Sequence, residues 1–238
     1  MNIIEKFSTL QCEGRYLGVP SFFLRSTGCN LRCAWKNPNG SVTLCDSPFT
    51  SWEPQKGQKM NSEDVLNELS KHPQIKHVVI TGGEPTLQID LASIVKDLIS
   101  KDYKVTIETN GTRYMHLPGA FMSISPKLAS SYSQIANSVE YQMHTRNNLN
   151  WPNVVKKYIE NNDYQIKFVY NEKKDLDEIL YFCDTLKVPH DNIVLMPQGI
   201  TTEQFKEKEK EIFKTCIEYG FHYSPRTHID IFGNVRGV

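Results

Sequence analysis

The chain has 238 residues, of which 39% are hydrophobic, 11% aromatic and 23% charged. That is the composition of a globular protein with a core, and it excludes a disordered, collagen-like or membrane chain. Twenty-seven Lys and Arg residues balance twenty-seven Asp and Glu, whereas a protein that grips phosphates carries a basic surplus. The balance points away from nucleic acid and toward a small, uncharged substrate.

No run approaches the roughly 20 apolar residues of a membrane span. The first residues, Met1 to Lys6, lack the charged-then-apolar order of a signal peptide. The expected setting is a reducing cytoplasm, where the six cysteines serve as thiols or metal ligands rather than as a disulfide framework.

In chain order, Ser21 to Arg25 is a short apolar run leading to a group of cysteines, and Lys36-Asn37-Pro38-Asn39-Gly40 is a turn-rich surface loop. Asn61 to Asp64 is a capped helix start with Val65, Leu66 and Leu69 on one face. His77 to Thr81 is a β-branched strand ending in Gly82-Gly83, and Ile89 to Ile99 has helical spacing through Leu91, Ile94, Val95 and Leu98. Strands follow at Lys104 to Glu108, Phe121 to Ser125, Gln165 to Val169 and Asn192 to Met196. Between the last two, Leu176, Ile179, Leu180, Cys183 and Leu186 form a helix face. A further helix opens at Thr201-x-x-Gln204 and closes before Gly220.

Such alternation predicts right-handed βαβ units on a parallel sheet, with ligands at the carboxyl ends of the strands. Gly82-Gly83-Glu84-Pro85, Glu108-Thr109-Asn110, Ser125-Pro126-Lys127 and Gln198 all fall there. The expected fold is one α/β domain over residues 1–238. It would be a partial (β/α)6-type TIM barrel with about six strands, because eight usually need roughly 250 residues.

Cys29, Cys33 and Cys45 lie within seventeen residues. Structural zinc wants four ligands, and Cys12 or a histidine could be the fourth. A redox pair would show Cys-x-x-Cys, which is absent. An iron–sulfur cluster held by three thiolates would keep one iron open. His72, His77, His116, His144, His190 and His222 show no ligand spacing and read as surface or packing residues, as do Cys183 and Cys216.

Gly28-Cys29-Asn30-Leu31-Arg32-Cys33-Ala34-Trp35, Cys45-Asp46-Ser47 and Thr81-Gly82-Gly83-Glu84-Pro85 resemble the radical S-adenosylmethionine (SAM) enzymes, in particular the branch of 7-carboxy-7-deazaguanine synthase. The likeness runs on through Gln11-x-Glu13-Gly14, Arg25, Glu108-Thr109-Asn110-Gly111, Ser125-Pro126-Lys127 and His228-x4-Gly233-Asn234-x-Arg236-Gly237-Val238. The chain departs from the family pattern in two places. Nine residues, Lys36 to Leu44, separate Trp35 from the third cysteine, and Cys12 stands where the family usually has glycine. Loop closure tolerates the insertion, since doubling a loop costs about 0.6 kcal/mol, and Cys12 reads as a small packing residue.

The resemblance implies a 4Fe–4S cluster loop over about residues 28–50, held by Cys29, Cys33 and Cys45, and SAM as the source of a 5′-deoxyadenosyl radical. It assigns SAM to Gly82, Gly83, Glu84, Glu108, Thr109, Asn110, Ser125 and Lys127, with Mg²⁺ on Ser47. It gives substrate contacts to Gln11, Glu13, Gly14, Arg25, Gln198, His228 and Val238, of which Glu13, Arg25 and His228 would be catalytic. It also implies a flavodoxin- or ferredoxin-type electron donor and a homodimer. Two reactions share this machinery, one of them on a free 7-deazaguanine base. The remodelled loop favours a queuine lyase, a carbon–nitrogen lyase that releases 7-aminomethyl-7-deazaguanine for salvage. The alternative is the synthase, which contracts a carboxylated tetrahydropterin. A tRNA-modifying enzyme would need a basic channel, and a zinc-stabilised binding module is the alternative of another class.

Overall fold

The computed structural model describes residues 1–37, 39–132, 135 and 138–238; Pro38 of the turn-rich loop lies outside them. Its main sheet joins nine strands in the order β11-β10-β9-β8-β7-β6-β2-β1-β5. The parallel part consists of β2 (Pro20–Ser26), β6 (His77–Gly82), β7 (Lys104–Thr109), β8 (Phe121–Ile124), β9 (Tyr164–Tyr170), β10 (Ile193–Pro197) and the short β11 (His222–Tyr223). Apart from β11, these are the strands expected from the sequence. An antiparallel β1 (Asn2–Leu10) and the short β5 (Gln58–Lys59) extend the sheet past β2. The edges β5 and β11 do not pair, so the barrel is partial.

A period of two along each strand gives the sheet two different faces. Phe22 and Leu24, Val78 and Ile80, Val105 and Ile107, Met122 and Ile124, and Ile166 and Phe168 join one apolar core. The helices α3 (Leu91–Ser100), α5 (Trp151–Asn161), α6 (Lys174–Leu186) and α7 (Thr202–Tyr219) contribute Ile94, Val95, Leu98, Tyr158, Ile179, Phe182 and Ile212 to that core. The alternate residues Ser21, His77, Thr106, Ser123, Gln165 and Lys167 are buried and polar. They satisfy one another: His77 bridges Ser21 Oγ (2.8 Å) and Thr106 Oγ1 (2.7 Å), and Gln165 Nε2 donates to Ser123 Oγ (2.8 Å). A polar lining on the inner face is what a ligand-binding barrel needs.

Helix starts follow the local chemistry. α2 (Ser62–Leu69) begins with a full capping box between Asn61 and Asp64. At α7 the Thr201 Oγ1 accepts from Gln204 N, but the Gln204 amide reaches Ile200 N, one residue before the cap. Gly220 closes that helix at φ +71°. The short helices α1 (Pro48–Ser51) and α8 (Thr227–Phe232) lie near the site. α4 (Val139–Asn148) has no apolar stripe and leaves no periodic trace in the sequence. No helix among the described residues is long and apolar enough to cross a membrane.

Candidate active site

The carboxyl ends of β2, β6, β7, β8, β9 and β10 open onto one cavity of about 260 Å³. Cys29, Cys33 and Cys45 all line it. The residues that separate Cys33 from Cys45 fold as a hairpin of β3 (Ala34–Lys36) and β4 (Val42–Leu44), in the register Ala34↔Leu44, Trp35↔Thr43 and Lys36↔Val42. That register returns Cys45 beside Cys33, and the Cys45 N–H donates to the Cys33 carbonyl at 3.0 Å. Leu31, Cys33 and Trp35 form a small apolar cluster against which Cys29, Cys45 and Val169 pack.

Burial pushes the Cys29 thiol up to about 11, that of Cys33 up to about 12, and that of Cys45 well above the usual range. A metal's positive charge supplies what such a setting needs to hold thiolates. Among the described residues no three His, Cys, Asp or Glu side chains are gathered to hold a single metal ion. Three thiols lining one cavity fit an iron–sulfur cluster with an open iron. Cys12 also lines the cavity, but its Sγ lies 3.2 Å from the Leu10 carbonyl, at the Glu13 side.

The glycines of the β6 turn allow close backbone approach. At Gly82 (φ +136°) a Cβ would lie 2.2 Å from the Ser26 carbonyl oxygen, and at Gly83 one would lie 2.1 Å from that of Gly28. Glu84 corrects the expectation placed on it. It is 0% exposed and is not among the residues that line the cavity. Its carboxylate accepts from Thr86 N (3.1 Å), Thr86 Oγ1 (2.7 Å), Thr109 Oγ1 (2.7 Å) and Asn110 N (2.7 Å). With three donors on Oε1 and one on Oε2, it ties the ends of β6 and β7 together. Burial nevertheless keeps its carboxyl above the usual range.

Gly82, Gly83, Glu108, Thr109, Asn110, Ser125 and Lys127 do line the cavity. Lys127 Nζ donates to Ser125 Oγ (2.7 Å) and to the Ser125 carbonyl (2.9 Å).

On the other side the structure brings together Gln11, Glu13, Arg25, Ser47, Gln198, His228 and Val238. Gly14 does not join them. Its N–H donates to Ser224 Oγ at 2.8 Å, and a Cβ there would lie 2.2 Å from Gln165 Nε2. Its φ of +69° and this packing account for the glycine. Ser47 Oγ donates to Asp46 at 3.1 Å, and Gln198 Oε1 accepts from Lys208 Nζ at 2.7 Å.

A charge network emerges that the sequence did not show. Lys167 Nζ, at 4% exposure, lies 2.7 Å from Glu13 and 2.9 Å from Glu108. Arg226, fully inside as well, reaches Glu13 at 3.2 Å and pairs closely with Asp46. Burial alone would raise the Glu13 carboxyl, but Lys167, Arg226 and His228 hold it far below the usual range. Asp46 is likewise lowered against its burial by Arg226. Burial lowers His228, although Glu13 pulls it the other way. Glu5 is shared by two guanidiniums, Arg25 at 2.6 Å and Arg236 at 2.5 Å, and Arg236 lies 3.6 Å over the Phe49 ring. The available signal for Lys167 was a lone cation inside a mostly apolar strand; Arg226 had none.

Residues 23–197 match the model of the radical SAM superfamily. The chain is 34% identical to the 7-carboxy-7-deazaguanine synthase of Halobacterium salinarum over 98% of its own length and 90% of that protein. It is 37% identical to the enzyme of the same name from Rhodopirellula baltica, over 99% of this chain and 88% of the other. Among solved structures it shares the fold of QueE from Escherichia coli, with a TM-score of 0.65 at 24% identity, covering 94% of this chain and 92% of that one. These relatives carry the synthase name and do not support the expected queuine lyase. A family match across most of the length, on a sheet whose strand ends gather three cysteines, shows that the chain belongs to the radical SAM superfamily, among the homologues of 7-carboxy-7-deazaguanine synthase.

Proposed function

We propose that this protein is a 7-carboxy-7-deazaguanine synthase, which contracts the ring of a carboxylated tetrahydropterin. The observation that carries this reading is end-to-end likeness to relatives of that name, 37% identity over 99% of the chain in one case. The argument for a lyase rested on the insertion. Among its described residues 36–43, none lines the cavity, and only Leu44 at its end does. The described part of the insertion builds a hairpin that meets the cavity at Leu44.

Cys29, Cys33 and Cys45 would hold the 4Fe–4S cluster, and the Gly82-Gly83 backbone, Asn110, Ser125 and Lys127 would hold SAM. Together these groups supply, when bound, a carbon-centred radical that abstracts hydrogen from unactivated carbon. The protein's tasks are then placement and exclusion of water. Glu13, kept ionised by Lys167 and Arg226, accepts from the donor edge of a guanine-like ring. Arg25 and Arg236 share one carboxylate, so the pair keeps a surplus positive charge for a substrate carboxylate. Ser47 and Asp46 offer oxygens to Mg²⁺, which retains much of its hydration.

Anaerobically reconstituted protein, reduced and given SAM, is expected to convert 6-carboxy-tetrahydropterin to 7-carboxy-7-deazaguanine in a liquid-chromatography assay. Turnover of queuine in its place would overturn the synthase assignment while leaving the radical SAM chemistry intact.

A further inference from the structure

Helix α4 is polar on every side, yet two of its residues are inside the protein: His144 is 0% exposed and Asn148 6%. A helix without an apolar stripe is not held by a core. Its polar side chains bond instead to the backbone of the two segments that flank the cofactor cavity. His144 Nδ1 lies 3.1 Å from Arg32 N and 2.9 Å from Arg32 O, in the middle of the Cys29–Cys33 loop. Asn147 Nδ2 donates to the Asn30 carbonyl of the same loop at 2.7 Å. Asn148 Nδ2 donates to the Lys127 carbonyl at 3.0 Å.

The His144 ring stacks on Tyr132 at 4.4 Å, and its Nε2 is buried without a partner among the described residues. An orphaned buried nitrogen is costly, and the ring's bonds are all made at its other end, with Arg32. The ends of the loop are anchored elsewhere: Gly28 N donates to the Thr50 carbonyl (2.9 Å), and the Cys33 carbonyl accepts from Cys45 N (3.0 Å) and Trp52 Nε1 (3.1 Å). Asn30 bonds Thr112 Oγ1 (2.8 Å) and accepts from Asn110 Nδ2 (3.0 Å), and Arg32 Nη1 turns back on the loop's own carbonyls.

We propose that α4 is a clasp, in which His144 and Asn147 are positioning residues that fix the Cys29–Cys33 loop and Asn148 locks that loop to the Lys127 segment. The clasp sets how the loaded cluster receives SAM, and it acts on cofactor geometry rather than on the substrate. It rests on membership of the radical SAM superfamily and not on the synthase reaction.

The test uses the full chain, reconstituted anaerobically, as wild type, Asn147→Ala, Asn147→Asp and His144→Phe. Asn147 is half-buried, so its variants keep the fold. Asn147→Asp keeps the shape but sets a carboxylate against the Asn30 carbonyl, and His144→Phe keeps the stack while removing the nitrogen. Iron per chain, the electron paramagnetic resonance spectrum of the reduced cluster with and without SAM, and KM for SAM and for the pterin are measured. The expected result for Asn147→Asp is a SAM affinity weakened about tenfold or a loss of iron with the circular dichroism unchanged. The spectral change on SAM addition should be altered, with KM for the pterin within about twofold. Asn147→Ala should fall between wild type and Asn147→Asp. If His144→Phe does not fold, Asn147→Asp alone decides. Wild-type spectra and SAM affinity in Asn147→Asp would overturn the proposal, as would a defect confined to KM for the pterin.

Discussion

A methyl group on Gly83 would sit 2.1 Å from the Gly28 carbonyl oxygen and 2.9 Å from Cys29 Cβ. Both neighbours belong to the loop that carries the first thiol, so the clash falls on backbone that cannot rotate away. Gly83→Ala is therefore expected to lower iron content after reconstitution to less than about half of wild type, because the displaced Cys29 no longer meets the other two thiols. Iron per chain, set against circular dichroism to confirm the fold, checks this. Glu84, two positions from the same turn's start, teaches a different lesson. Its four bonds make it a brace between strand ends, and Glu84→Gln, which turns one acceptor into a donor facing N–H or O–H groups, should cost about 2 kcal/mol in denaturant unfolding. The motif made the turn legible. The sequence could not say which of its atoms face the cavity, because that depends on a side-chain direction set by neighbouring strands.

At the scale of elements, the parallel strands were readable because each is an apolar run bounded by turn residues, α2, α3 and α6 were readable from an apolar face at helical spacing, and α7 from its Thr201-x-x-Gln204 start and Gly220 stop. Other elements carry no such signal. β1 is half-exposed and mixes polar with apolar residues, and β3 and β4 have three residues each. α4 is held by side-chain bonds to loops that are distant in sequence. The ties between strand ends were invisible for the same reason: Lys167 on β9 binds Glu108 on β7 and Glu13, which follows β1. Removing one partner from a buried pair leaves uncompensated charge. Lys167→Met is thus expected to lose about 3 kcal/mol in denaturant midpoint. Adding Glu108→Gln should restore part of that loss by removing the carboxylate left without a cation, since Glu13 keeps Arg226. No recovery in the double variant would mean that Glu108 is paired adequately by Ser123 and Gln11 alone.

The whole molecule joins an apolar outer face to a polar inner one, and this makes its stability depend on pH through groups far from the chemistry. Burial holds His77 down to about 4 and His144 likewise to about 4, from an ordinary value of 6.5. The Ser21 hydroxyl already donates to the Val19 carbonyl, so His77 Nδ1–H donates to Ser21 Oγ while Nε2 accepts from Thr106. The neutral ring is fully satisfied. Below pH 6.5 the unfolded chain takes up a proton at each ring, and the folded protein does not until about pH 4. Stability is therefore complete above about pH 6.5 and falls across that window as the pH drops. At about 1.4 kcal/mol for each tenfold change in proton affinity, the loss over the full window amounts to about 3 kcal/mol per ring. Glu13 and Asp46, held low by their cations, add an acid loss only at lower pH, below the ordinary carboxylate range. His77→Gln keeps an amide between the two hydroxyls but cannot titrate. Its denaturant stability should be lower than wild type at pH 7 and should fall less far between pH 7 and pH 4.5, by the share that His77 carries, since His144 and His228 still respond. An unchanged slope in that variant would remove His77 from the account and leave the loss in that window to His144 and His228, which burial also lowers.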